Sequence, residues 1–294
     1  MAPIDEIAIR TPLAAVANGN HIRLYQLDVN GGVREAQYEG SWGGGQIRNT
    51  IGTVRLNSPL SATNIGFSQI RVYGVDNDDT IKEFAYDAGR GWYLGALGGK
   101  FKVAPYSSVA AVFVSEKIHV YAQLPDNTIQ EYRWSGSSWH EADNLGQALP
   151  GTSISAAAWG SHEDSASIRV YFQTPTKTVI EKGKDANGAW YDGWLSFPSD
   201  ETRAALAAVS LNGPHLRLFY TAPGGEIREK VSGGHWSDGD FRQPALPASS
   251  VAVVSVGGQQ LRIYLQNGTD NTAVTEFVPG GNGGIVHQAA LPPA

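Results

Sequence analysis

Residues Gln69 to Trp92 read QIRVYGVDNDDTIKEFAYDAGRGW. Two alternating segments, IRVYGV and TIKEFAY, flank the acidic turn Asp76 to Asp79, and an aromatic closes the unit. Alternation with period two, broken by turn residues, is the signal of a half-buried β-hairpin. Arg71 sits in the first strand and Glu83 twelve residues later in the second. The same spacing of twelve separates Arg23 from Glu35, His119 from Glu131, Arg169 from Glu181 and Arg217 from Glu229. In a sixth copy it lengthens to fourteen, from Arg262 to Glu276. These units start 48, 48, 50, 48 and 45 residues apart, which is the period of a repeat architecture.

Ahead of each hairpin runs a segment of small residues, such as PLAAVANG at Pro12 to Gly19, SVAAVFV at Ser108 to Val114 and SISAAAW at Ser153 to Trp159. Strands of this kind suit the crowded centre of a radial array, where large side chains do not fit. The chain is therefore expected to be an all-β, six-bladed β-propeller, each blade a four-stranded antiparallel sheet. It would form a single domain over residues 1–294, with repeats starting near 11, 58, 105, 152, 204 and 248. A β-solenoid has shorter rungs, and a pair of β-sandwiches would not produce six copies of one pattern. Residues 3–10 precede the first repeat and are expected to pair with the last unit, closing the ring and removing open sheet edges.

Composition narrows the function. The chain has no cysteine, so neither a disulfide framework nor a thiolate zinc site can form. A net charge of -6 argues against a nucleic-acid partner bound through its phosphates. The start, MAPIDEIAIR, has no apolar signal-peptide core, and no 18-residue apolar run occurs. A soluble protein without membrane insertion is expected, reaching the cell surface or medium only by a non-classical route. His162-Glu163-Asp164 reads as a loop rather than a metal site, and Asn267-Gly268-Thr269 matches the N-glycosylation pattern, frequent by chance.

The repeated polar pair is the candidate site. Arg and Glu at this spacing share strand parity and can face the same way on neighbouring strands. A surface ion pair would contribute little to stability. The arginine is expected to keep its glutamate ionised, and if it faces solvent its removal should change stability little. Trp42, Trp92, Trp139, Trp190 and Trp236 follow their glutamates by seven, nine, eight, nine and seven residues. Each reads as a core residue closing its blade or as a platform for the C–H face of a sugar, with arginine donating to and glutamate accepting from hydroxyls.

The run IRVY, then xIxEFxYD, then GW, repeated over essentially the whole chain, resembles the fungal fucose-specific lectins of the Aleuria aurantia type. The resemblance implies a six-bladed propeller that binds L-fucose on fucosylated oligosaccharides and glycoproteins, in pockets between neighbouring blades. Arg and Glu would come from one blade and the aromatics from the next. It also implies a homodimer, with no catalysis, metal or cofactor. Carried over, the pockets group Arg23 and Glu35 with Tyr86 and Trp92, and Arg71 and Glu83 with Trp134 and Trp139. His119 and Glu131 fall with Trp190, Arg169 and Glu181 with Trp236, and Arg262 and Glu276 with Tyr38 and Trp42.

The pockets are expected to be unequal. His119 is a shorter donor than arginine, and Lys184 stands where an aromatic would fall. Arg217 and Glu229 face a sixth blade that offers Pro279 and no tryptophan, and the fourth pocket has Ser232 in place of its second aromatic. The turn Asn267 to Thr272 is expected to shift Glu276, leaving the first two pockets the strongest. A glycosidase would need two carboxylates across one bond, and Asp87 supplies a second only after the second repeat. A protein-interaction propeller would need apolar packing rather than a polar pair beside each tryptophan.

Overall fold

The computed structural model describes residues 7–160, 162, 164–186, 188–269, 272–279 and 285–293. Residues 3–6, Glu163 and part of the turn Asn267 to Thr272 lie outside these.

Six antiparallel sheets follow one another along the chain, each built from consecutive strands. The first blade has strands Leu13–Asn18, His21–Leu27 and Gly32–Tyr38, and an outer edge in two pieces, Trp42–Gly44 and Thr50–Thr53. The other five have four strands each, occupying 61–94, 109–147, 155–198, 206–244 and 251–291. The architecture is the expected six-bladed propeller, with one departure: a 3-10 turn, Ile47–Asn49, interrupts the first blade's outer strand.

The inner strands converge on the axis. Each packs against the inner strand of the next blade, and Leu13–Asn18 of the first packs against Val251–Val256 of the sixth. Their sequences, LAAVAN, SATNI, VAAVFV, SAAAW, LAAVSL and VAVVSV, have small volumes because six strands share one narrow centre. The apolar core lies between blades rather than within them. Tyr73, Val75 and Ile81 of the second blade pack on Val109, Val120 and Trp139 of the third. Similar clusters join the first blade to the second and the sixth to the first. Each seam is sealed by apolar burial, at about 25 cal/mol per Å² removed from water.

A glutamine ties successive blades. Gln123 donates to Leu149 O at 3.1 Å and accepts from the Gly151 N–H at 2.8 Å. Gln173 donates to Glu201 O at 2.8 Å and accepts from the Ala204 N–H at 2.9 Å. Gln266 of the sixth blade donates to Ala8 O at 3.1 Å and accepts from the Thr11 N–H at 3.0 Å. The link between the last and first repeats is thus the one that joins the third to the fourth and the fourth to the fifth. All four strands of the sixth sheet come from its own repeat. Beside them, Ile7 bridges to Asp28 of the first blade. Among the described residues no helix is long and apolar enough to cross a membrane.

Candidate functional site

The hairpin register places the polar pair. Tyr25 lies directly opposite Glu35, and Arg23 opposite Gln37, so Arg23 and Glu35 are diagonal neighbours on one face. The same holds for Tyr73 and Glu83, Tyr121 and Glu131, Tyr171 and Glu181, and Phe219 and Glu229. Tyr264 opposes Glu276 in the sixth blade, so the longer turn does not displace that glutamate.

The residue facing the glutamate was not singled out from sequence, although Tyr stands two after the basic residue in five of six copies. Its hydroxyl donates to the carboxylate at 3.0 Å for Tyr25, 2.9 Å for Tyr73, 2.8 Å for Tyr171 and 3.0 Å for Tyr264. Burial, then the adjacent carboxylate, pushes these four phenols well above their usual range, so they remain donors. A glycine on the outer strand gives the carboxylate room. A Cβ at Gly95, Gly193 or Gly239 would lie 2.1, 2.2 or 2.3 Å from an oxygen of Glu83, Glu181 or Glu229.

Burial governs the electrostatics of the pair. The arginines are not solvent-facing: Arg71 is 11% exposed and Arg169 12%. Nor does the arginine dominate its glutamate. Burial pushes the carboxyls of Glu35, Glu83 and Glu229 up, outweighing their hydrogen bonds and the nearby guanidinium. Arg71 Nε and Arg169 Nε stand 3.9 Å from their glutamates, and Arg217 and Arg262 come to 3.4 and 3.5 Å. Arg23 pairs instead with Glu39 at 2.6 Å and lies over the Phe67 ring at 4.4 Å.

A second carboxylate steadies the arginine in three blades rather than one. Arg71 Nη2 meets Asp87 Oδ1 at 2.9 Å, and Arg169 Nη1 meets Asp185 Oδ1 at 2.8 Å. Glu39 does the same for Arg23. All three lie sixteen residues after their arginine, a spacing that the sequence carries. The Tyr93 hydroxyl donates to Asp87, and that of Tyr191 to Asp185. The guanidinium is therefore held before any ligand arrives, which lowers the ordering cost of binding.

The tryptophans cross the seams. Trp92 meets Tyr25 edge-on at 6.0 Å, Trp139 meets Tyr73 at 6.4 Å, and Trp190, Trp236 and Trp42 meet Tyr121, Tyr171 and Tyr264 at 6.0 Å each. In each case the ring from one blade rests on the tyrosine of the preceding one. Within its own hairpin, Trp92 tilts on Tyr86, Trp139 on Trp134 and Trp42 on Tyr38. The core reading of these residues is met, since one edge of each ring seals the seam. In the second seam Arg71, Glu83, Trp134 and Trp139 line one cleft of about 740 Å³, together with Phe113. At ring closure Trp42 Nε1 donates to Glu276 Oε2 at 3.1 Å, and the Arg262 guanidinium lies 5.7 Å from the Tyr38 ring.

The third and fifth seams differ. In the third, His119 Nδ1 meets Glu131 at 2.5 Å and Arg133 reaches the same carboxylate at 3.4 Å. Lys184 pairs with Asp143 at 3.0 Å, and Trp190 Nε1 donates to that same aspartate at 3.2 Å. The space left beside His119, Arg133 and Lys184 is only about 100 Å³. In the fifth, Phe219 has no hydroxyl to offer Glu229, and Phe241 meets Phe277 edge-on at 6.2 Å. Pro279 is exposed at its edge.

Burial would raise the Glu131 carboxyl, but the hydrogen bond and charge of His119, with Arg133 and Lys184, hold it at about 2. An acid depressed on folding contributes stability above its unfolded value, near 4.3, and loses it as pH falls through the folded value. The melting advantage of wild type over Glu131→Gln is therefore expected to shrink between about pH 4.3 and pH 2. A difference independent of pH would show that the ionised carboxylate does not stabilise this seam.

Among the described residues no group of three or more His, Cys, Asp or Glu side chains is placed to hold a metal ion. The family model for fungal fucose-specific lectin matches residues 7–294. The fucose-specific lectin of Aspergillus fumigatus is 41% identical over 309 aligned residues, covering 99% of this chain and 98% of its own. That of Aleuria aurantia is 34% identical, covering 86% and 85%. The solved SapL1 lectin, in complex with alpha methyl fucoside, matches with a TM-score of 0.92 at 43% identity over 99% of both chains. The Aleuria aurantia structure, a six-bladed β-propeller, matches with a TM-score of 0.87 at 30% identity over 98% and 97%.

Proposed function

The chain belongs to the fungal fucose-specific lectin family, and from that premise we propose that it binds L-fucose on glycans in the seams between adjacent blades. The observation that carries the proposal is the second cleft. There a preset arginine and a buried carboxylate from one blade meet two tryptophans from the next. The ring covers the sugar's C–H face, the guanidinium donates to hydroxyl and ring oxygens, and the carboxylate accepts from hydroxyls.

Three seams hold an arginine, a glutamate and two aromatics: first to second, second to third and sixth to first. The fourth to fifth has Arg169, Glu181 and Trp236 but Ser232 in place of the second ring, and we count it as a fourth site. The third is closed by its own charges, and the fifth lacks the tyrosine hydroxyl on its glutamate. Each monosaccharide site is weak, because so small a ligand buries little area. Several on one rigid ring gain about 10²–10⁴ in avidity on a fucosylated surface. Calorimetric titration with methyl fucoside is expected to give four equivalents per chain. Six equal equivalents would overturn the inequality of the seams, and preference for a different sugar would overturn the proposal. A homodimer belongs to the same reading, and sedimentation as a single species of 31.4 kDa would remove it.

A further inference from the structure

Trp194 is the most exposed of the large apolar side chains among the described residues, at 77%. It stands on the outer strand Tyr191–Pro198 of the fourth blade, and its position is set by the fourth pocket. Its backbone N–H donates to Glu181 Oε1 at 3.1 Å. Gly193, just before it, is the glycine that makes room for that carboxylate. The indole lies across the seam from the next blade, 6.0 Å from the His235 ring at an interplanar angle of 62°. His235 directly precedes Trp236, whose ring rests on Tyr171, and Tyr171 holds Glu181. Trp194 and His235 thus stand on either side of the seam, at the rim of the pocket formed by Arg169, Glu181 and Trp236.

No other repeat builds this pair. The residue after the spacing glycine is Ala96 in the second blade and Asp240 in the fifth. The residue before the seam tryptophan is Ser41, Gly91, Ser138 or Ala189 in the other copies. Nor is Trp194 part of a broad apolar face, since Asp192 and Ser196 on the same strand are exposed. A lone indole beside an imidazole fits one flat ring with an apolar side and polar edges, as a pyranose has.

We propose that Trp194 and His235 form a second subsite that takes the sugar residue linked to the fucose in the fourth pocket. The inference rests on the reading of that pocket as a fucose site. It makes the fourth site selective for a fucosylated disaccharide where the other sites read fucose alone.

The test uses a chain carrying Arg23→Ala, Arg71→Ala, Arg217→Ala and Arg262→Ala, in which only Arg169 remains to bind. Methyl fucoside is compared by calorimetry with fucose linked α1,2, α1,3 or α1,6 to a second pyranose. At least one disaccharide is expected to bind roughly three- to tenfold more tightly than methyl fucoside, the range of an aromatic stacking contact. Trp194→Ala keeps the backbone N–H to Glu181, so it is expected to abolish that advantage and leave methyl fucoside binding unchanged. No advantage for any linkage, or an advantage that survives Trp194→Ala, overturns the subsite. Failure of the wild-type chain to bind methyl fucoside overturns the underlying fucose reading, and the subsite with it. Should the fourfold variant not fold, a crystal of the wild type soaked with the disaccharides decides. A second ring stacked on Trp194 upholds the inference, and an occupied fourth pocket whose second ring points elsewhere overturns it.

Discussion

Trp139→Ala is expected to lower stability by about 3–5 kcal/mol, the cost of truncating a buried tryptophan, and to empty the second cleft. Trp139 is 7% exposed. It packs edge-on to Tyr73 and tilts at 50° on Trp134, within the cluster that seals the second blade to the third. Truncation opens a cavity at that seam and releases the tyrosine that holds Glu83. The melting midpoint should fall on the order of 10 °C, with one equivalent of methyl fucoside lost. Trp139→Phe should recover most of the stability and less of the affinity, because the smaller ring keeps the seam but covers less of the sugar. Melting at the wild-type temperature in Trp139→Ala would show that the ring is a platform alone. The half-buried Trp42 should cost less when truncated.

Arg71→Ala and Arg71→Lys are expected to separate binding from packing at the same cleft. Arg71 Nη1 donates to Ile70 O and Tyr86 O at 2.9 Å each, and Nη2 donates to Asp87 Oδ1 at 2.9 Å. Lysine keeps the charge and loses the planar fork. A charged hydrogen bond is worth about 1.5–3 kcal/mol, so Arg71→Lys should weaken the second site about tenfold or more with a small change in melting. Arg71→Ala should lose the same equivalent and also melt lower. It leaves Glu83, 3% exposed, without its cation and drives a carboxyl already raised by burial further up. Titration with methyl fucoside and thermal melting on both variants check this. If Arg71→Lys binds as wild type does, the guanidinium geometry plays no part in recognition. If Arg71→Ala melts as wild type does, the arginine carries no structural load.

Much of the fold was legible because a hairpin is a local object. Arg71 and Glu83, twelve apart across a short turn, fall on one face whatever surrounds them, and the observed register keeps them there. The small residues of VAAVFV and SAAAW marked the axis for an equally simple reason, since only small side chains fit there. Less was legible in the site. Tyr25, Tyr73, Tyr171 and Tyr264 were visible two residues after each arginine. Alternation gives the face of a side chain but not its hydrogen-bond partner, so nothing singled out their hydroxyls as what holds the carboxylates. Nor were Gly95, Gly193 and Gly239 singled out, because a close approach between a glutamate and an outer strand leaves no mark in either segment.

The sequence by itself determined six copies of one hairpin, their strand parity, and the exchange of His119 and Lys184 into the third pocket. Those properties depend on neighbours along the chain. Whether a seam stands open was decided only by packing between blades. Lys184 meets Asp143 from the preceding blade, 41 residues away in sequence, and together they close the third seam. Burial likewise outweighs the arginine at Glu35, Glu83 and Glu229 and pushes their carboxyls up. The field of one arginine can be read from spacing, but desolvation is the sum over every atom that excludes water, and at each seam many of those atoms come from the next blade.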